Sequence, residues 1–173
     1  NLFYVSSNGN FKIDKLGVVL MNYKTESEEV YKNSQLIKYS SKTTQNDKKR
    51  FANIILNKKN KLYIDGSSFK GETDNKSIVG SWWNHEIVKN SKQISPISGS
   101  VKEQVVTFVG KENIKMYEKN YFLDHYRLSS KDKDLPQDKK LDFDIWINTE
   151  NNLIFKISYN RKGKWEYRLK SFE

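Results

Sequence analysis

The chain has 173 residues, enough for one domain that buries roughly two thirds of the surface its unfolded form exposes, and its 9 Phe, 10 Tyr and 4 Trp promise a core or cavity rich in rings. It carries no cysteine, which excludes disulfides, thiolate metal sites and thiol nucleophiles. The formal charge of +10 is spread along the chain, with 15 basic and 9 acidic side chains in residues 1–90 and 16 and 12 in residues 91–173, the pattern of a solvated surface rather than of a nucleic-acid groove.

In chain order, Phe11 to Tyr23 reads as one long extended segment with Gly17 as a bulge or bend. Glu29 to Tyr31 leads through Lys32-Asn33-Ser34 into a strand from Gln35 to Thr44, with Ile37, Tyr39, Ser41 and Thr43 on one face and Leu36, Lys38, Ser40 and Lys42 on the other. Arg50 to Leu56 and Leu62 to Ile64 flank the turn Asn57-Lys-Lys-Asn-Lys61 as a hairpin. Ser81 to Lys89 is the exception to the β pattern, a short helix capped by Ser81. Val101 to Gly110 is a β-branched strand ending at its glycine, and Ile114 to Leu128 continues as one or two strands. Ser129 to Lys140 alternates in charge and forms an exposed loop.

The C-terminal third is a meander. Leu141, Phe143, Ile145 and Ile147 alternate with Asp142, Asp144 and Trp146; after the turn Asn148 to Asn152, Leu153, Phe155, Ile157 and Tyr159 share a face; after the turn Asn160 to Gly163, Trp165, Tyr167 and Leu169 do so again. The basic runs Lys48-Lys49-Arg50, Lys58-Lys59-Asn60-Lys61 and Arg161-Lys162-Gly163-Lys164 fall at hairpin ends, where charge is solvated. About nine or ten strands result. The expected fold is mainly β: a single strongly curved antiparallel sheet, a half-barrel or open barrel, with a helical turn near residues 81–89, all in one domain over residues 1–173.

Signs of chemistry are few. The two histidines, His85 and His125, lack metal-ligand spacing, and in a strand Asp124 and His125 point to opposite faces. There is no Gly-x-Ser-x-Gly elbow, no phosphate loop and no dinucleotide fingerprint. Asp142 and Asp144 share a strand face at roughly 6.5 to 7 Å, a spacing that glycosidase carboxylates use and that a polar outer face explains equally. These residues imply no catalytic residue, no metal and no cofactor. What stands out is Gly80-Ser-Trp-Trp-Asn-His85: two successive tryptophans on one strand cannot both be fully buried on the same face, which suits either a plug at the end of a barrel or a gate over an apolar cavity.

Several segments together resemble a bacterial family of exported proteins of unknown function. They are Glu29-Val-Tyr-Lys-Asn-Ser-Gln-Leu36, Thr44-Gln-Asn46, Ser81-Trp-Trp-Asn84, Ser95-Pro-Ile-Ser-Gly99, Phe143-Asp-Ile-Trp146 and Trp165-Glu-Tyr-Arg-Leu169. The family is similar in layout to the unclosed β-barrel lipoprotein carriers, the LolA/LolB and RseB-like group, in which a curved sheet wraps a hydrophobic cavity. The resemblance implies a periplasmic or secreted bacterial protein whose signal segment is not in this chain; Asn1 in place of Met agrees with such removal or with an upstream start. It also implies that a hairpin ahead of Phe11 is short or missing, leaving an edge open to a protein partner.

The expected function is non-catalytic binding of an apolar or amphipathic, lipid-like ligand. Phe143, Ile145, Phe155, Ile157, Trp165 and Tyr167 are the expected lining, with Trp82 and Trp83 at the mouth. The alternative is an assembly subunit with a packed interior, acting through an edge strand or a surface patch. An enzyme would require His85 or His125 to converge with a carboxylate, and nucleic acid is an unexpected partner. No stretch approaches the 18 or so apolar residues that span a bilayer.

Overall fold

Hairpin turns punctuate this chain in conformations that Asn and Asp tolerate. Asn33 and Ser34 take positive φ (49° and 63°), as do Asn46 and Asp47 (44° and 65°), the backbone of the two-residue turn whose twist matches its flanking strands. At Asn57 the side chain itself builds the turn, its Oδ1 accepting from the backbone N–H of Lys59 and of Lys61 at 2.9 and 3.0 Å.

The computed structural model describes residues 1–16, 18–137, 139–160 and 164–172. The molecule is mainly β, as the alternation required, and its strands are antiparallel. They divide between two sheets, however, where the sequence suggested one. β1 (Leu2–Lys15), β2 (Val18–Lys32), β3 (Gln35–Gln45), β4 (Lys48–Leu56), β5 (Lys61–Gly66) and β6 (Lys70–Asp74) form a six-stranded meander in chain order. β7 (Ile78–Val79), β8 (Lys92–Ile94), β9 (Val101–Met116), β10 (Lys119–Ser130), β11 (Asp142–Asn148), β12 (Leu153–Asn160) and β13 (Lys164–Arg168) make the second, in the order β13-β12-β11-β10-β9-β8-β7. The second sheet is strongly curled into a half-barrel.

By internal contacts the chain forms two units, Asn1–Val79 with Ile94–Val101, and Gly80–Gln93 with Lys102–Glu173. In the first, Phe11 to Tyr23 is not one strand: the chain reverses at Leu16, whose φ is +51°, and Phe11 and Tyr23 face each other across the β1/β2 hairpin with rings 5.2 Å apart. The bend expected at Gly17 lies outside the described residues. A second departure concerns β3, where a bulge slips the register between Val30 and Tyr31 and turns Leu36 inward beside buried Tyr31, while Tyr39, Ser41 and Thr43 are buried as the alternation indicated.

The buried side chains of this unit centre on Tyr39, Ile54, Leu62 and Ile64. Segment 95–100 closes over them. The hydroxyls of Tyr39 and Ser41 both donate to the carbonyl of Pro96, the former at 2.9 Å, and burial pushes the Tyr39 hydroxyl well above the ordinary tyrosine range. Gly66 is required at this closure, since a Cβ there would stand 2.5 Å from the carbonyl oxygen of Ser98. Glu29, 1% exposed, accepts a 2.6 Å hydrogen bond from the Tyr31 hydroxyl, so its carboxylate is not buried alone.

In the second unit the expected helix is a single 3₁₀ segment, His85–Lys89. Its cap is Asn84, not Ser81: the Asn84 side chain accepts from the Glu86 N–H at 3.1 Å, because Trp82 and Trp83 are spent on the preceding turn. Buried Gln104 of β9 fastens the segment, donating to the carbonyls of Ile87 and Asn90 at 2.8 Å each and accepting from Gln93 at 2.7 Å. Gly110 does not end its strand. β9 runs through it to Met116, and the glycine, with φ of +156°, lies at the bulge where β9 slips against His125 and Tyr126. The turn Asn160 to Gly163, with its basic run, falls largely outside the described residues. Among the described residues no helix is long and apolar enough to cross a membrane.

Candidate functional site: the two faces of the second sheet

Residues directly opposite one another in an antiparallel ladder point to the same face. Across β9 to β13 the pairing therefore draws two rows on one face: Val106, Leu128, Phe143, Tyr159 and Trp165, and beside it Phe108, Tyr126, Ile145, Ile157 and Tyr167. Every member is aliphatic or aromatic. Ring contacts tie them laterally, Phe108 to Tyr126 at 5.4 Å and Phe143 to Tyr159 at 5.4 Å, and Trp82 lays its ring 4.9 Å from that of Phe143. The centre of the rows is covered, with Ile145 at 0% and Ile157 at 2%, whereas the ends are open, with Phe108 at 52% and Tyr167 at 43%.

Of the eight residues expected from sequence, five, Phe143, Ile145, Ile157, Trp165 and Tyr167, share this face, and Trp82 packs onto it. Trp83 is half-buried in the same turn. Phe155 is a correction. A bulge shifts the register of β11 against β12 between Trp146 and Ile147, so Phe155 turns to the other face and joins Met116, Leu123 and Trp146 in a separate buried cluster, with Leu153 and Leu169 at its margin. Sequence reasoning missed Val106, Phe108, Tyr126, Leu128 and Tyr159 as members of the rows. Their alternation is visible in β9, β10 and β12, but which strands stand side by side is not.

The opposite face carries a polar lattice around Trp146. His125, Trp146 and Lys156 are in-register neighbours on β10, β11 and β12. The imidazole stacks on the indole at 4.4 Å and 14°, and the Lys156 ammonium lies 4.3 Å from the indole centroid. His125 Nδ1 is 2.6 Å from Glu112 Oε1 and its Nε2 is 2.9 Å from Asp144 Oδ1, while the indole N–H donates to Glu112 Oε2 at 2.9 Å. That indole bond, aided by His125 and Lys156, holds the Glu112 carboxyl below its ordinary range against the opposing effect of partial burial.

A histidine thus does converge with carboxylates, from three different strands. Both of its ring nitrogens are engaged, which favours holding the lattice over accepting a proton from a substrate. The carboxylate pair is likewise committed: Arg127 bridges Asp142 and Asp144 through its two terminal nitrogens. Among the described residues no three His, Asp or Glu side chains are grouped as a metal ion would need. His85 Nε2 lies 2.9 Å from a carboxylate oxygen of its neighbour, Glu86. A half-open cavity of about 390 Å³ lies beside the loop after β10, lined by Arg127, Ser129, Lys133, Lys140, Leu141 and Asp142 among others; its lining mixes charged and apolar groups, unlike the wholly apolar rows.

No curated protein and no solved structure matches the chain. A family model does, over residues 2–170, and the chain belongs to that family, described as a domain of unknown function (DUF6134).

Proposed function

We propose that this protein is a non-catalytic binding protein for an apolar or amphipathic, lipid-like ligand, acting after export in the periplasm or outside the cell. The two five-residue apolar rows on the half-barrel sheet, open at both ends and flanked by Trp82, are the observation that carries this reading. The rings left exposed at the row ends, Phe108 and Tyr167, beside a centre already covered at Leu128, Ile145 and Ile157, support this reading, since exposed apolar groups gathered on one face mark binding sites. Its layout agrees with the likeness to unclosed-barrel lipoprotein carriers, which bears on architecture more than on cargo.

The test is native mass spectrometry of the purified protein, followed by organic extraction and titration with a monomeric single-chain lipid. A stoichiometric adduct is expected, with a change in tryptophan emission that disappears in the double variant Trp82→Phe/Trp165→Phe and survives in Trp146→Phe, whose ring lies on the opposite face. An adduct-free protein whose emission ignores the lipid overturns the proposal.

A further inference from the structure

Most reversals of this chain place side chains that water solvates in the left-handed backbone region: Asn33 and Ser34 after β2, Asn46 and Asp47 after β3, Asn60 after β4 and Asn152 after β11. Tyr117, after β9, still carries a hydroxyl. The reversal after β1 is the contrast. Leu16 enters the same region, with φ of +51°, and is 95% exposed, although a leucine there strains the backbone and gains nothing from water. Val19, on the returning strand, is 47% exposed. From Leu16 to Met21 the sequence holds no polar side chain. Burial accounts for neither Leu16 nor Val19, since neither is buried.

The β1/β2 ladder runs on past the end of β3. β3 pairs with β2 from Tyr23 onward, and the N–H of Asn22 donates to the Asn46 side chain at 2.7 Å. Beyond that tie the ladder continues through Ile13 with Met21, Asp14 with Val19 and Lys15 with Val18, which carries Leu16 roughly 14 Å further at the usual strand rise. Behind it, around Asn22 and the β3/β4 turn, the exposed side chains of Lys12, Lys24, Lys48, Lys49 and Arg50 stand against those of Glu26 and Asp47.

We propose that this hairpin end docks the protein on an anionic lipid bilayer, with Leu16 and Val19 entering the interface and the cations behind them meeting the lipid phosphates. The order of the groups decides the occupant. An aliphatic tip followed by a cationic collar matches a bilayer, whose apolar interior lies beneath an anionic surface. A nucleic acid would use the cations and leave the aliphatic tip without a role, since its bases stack on rings. This inference rests on the first unit alone and does not depend on the ligand reading, which rests on the other sheet.

The experiment is co-sedimentation of the full chain with vesicles of phosphatidylglycerol and phosphatidylcholine, compared with vesicles of phosphatidylcholine alone, at low and high salt. Association with the anionic vesicles is expected, weakened by salt, and Lys48→Gln/Lys49→Gln should lower the affinity on the order of tenfold. Leu16→Asn/Val19→Thr substitutes residues suited to a left-handed turn and to a strand, so it should keep the circular dichroism of the parent and lose about tenfold or more in vesicle affinity. Uptake of a monomeric single-chain lipid should be the same in this variant as in the parent, so docking and the ligand reading fail separately. The chain has no cysteine, so a polarity-sensitive dye can be attached at Leu16→Cys and, at the other end of β2, at Lys32→Cys. Vesicles should brighten the first dye and leave the second unchanged. A protein that ignores anionic vesicles, a tip variant that binds them as well as the parent, or a dye at position 16 that does not brighten overturns the proposal; binding to heparin without binding to vesicles overturns it in favour of a plain polyanion surface.

Discussion

The first hairpin and the C-terminal meander are built from the same device, antiparallel strands paired with their neighbours in the chain, and they differ in what the register lines up. Across β1 and β2 it aligns Val5 with Glu29, Ser7 with Ser27 and Gly9 with Thr25, and none of the residues from Asn1 to Lys12 or from Met21 to Glu28 is buried. Across β10 to β13 it aligns Leu128 with Phe143 and Ile145 with Ile157, and those aliphatic side chains are removed from water. Alternation chooses a face. Only side-chain size decides whether that face yields the roughly 2 kcal/mol per residue that burial of a large apolar group supplies. The hairpin is thus held by its ladder and its continuity with β3, the meander by its own packing.

Truncation in the meander should therefore cost most. Ile145→Ala leaves a cavity at the centre of a row, and urea denaturation should show a loss of about 2–5 kcal/mol. Gly66→Ala comes next: its Cβ would press on the backbone at Ser98 and Gly99, neither of which is a flexible side chain, and a loss of about 1–3 kcal/mol is expected.

Trp146→Phe keeps most of the ring and deletes the indole donor to Glu112. Glu112 is partly exposed, so water replaces part of that bond and the loss should be about 1 kcal/mol or less. Its sign with pH is fixed. The folded carboxyl titrates below the unfolded value of about 4.3, so its contribution is present above that pH and is lost as the pH falls through the folded value. The gap between variant and parent should narrow in acid denaturation series; a gap equally wide at pH 7 and in acid would assign the loss to packing. Lys24→Ala, which removes an exposed ion pair with Glu26 from the first hairpin, should change stability by no more than about 0.5 kcal/mol.

What was legible in the sequence follows from the same physics. Period-two alternation identified the strands of the meander, and turn chemistry located the hairpins at Asn33-Ser34 and Asn57 to Lys61. Three slips of one residue were invisible, because nothing in composition distinguishes a bulged residue from its neighbours: they moved Leu36 inward, carried β9 through Gly110, and sent Phe155 away from Ile157. The aromatic rows were half legible, since the residues of one strand can be sorted by face while the adjacency of β9, β10 and β11 is a long-range fact. The lattice around Trp146 was not legible at all. Glu112, His125 and Asp144 are far apart in the chain and meet only through cross-strand register.

The bulge between Trp146 and Ile147 can be understood as a reading-frame change inside a strand. On one side of it β12 spells its apolar letters to the rows of Ile145 and Phe143; on the other it spells them to Met116 and Leu123. One short strand thereby addresses two separate interiors. The consequence is a dependence on length rather than on identity: it is the one extra residue of β12 at the slip that lets Phe155 and Ile157, which plain alternation would place on a single face, reach opposite interiors.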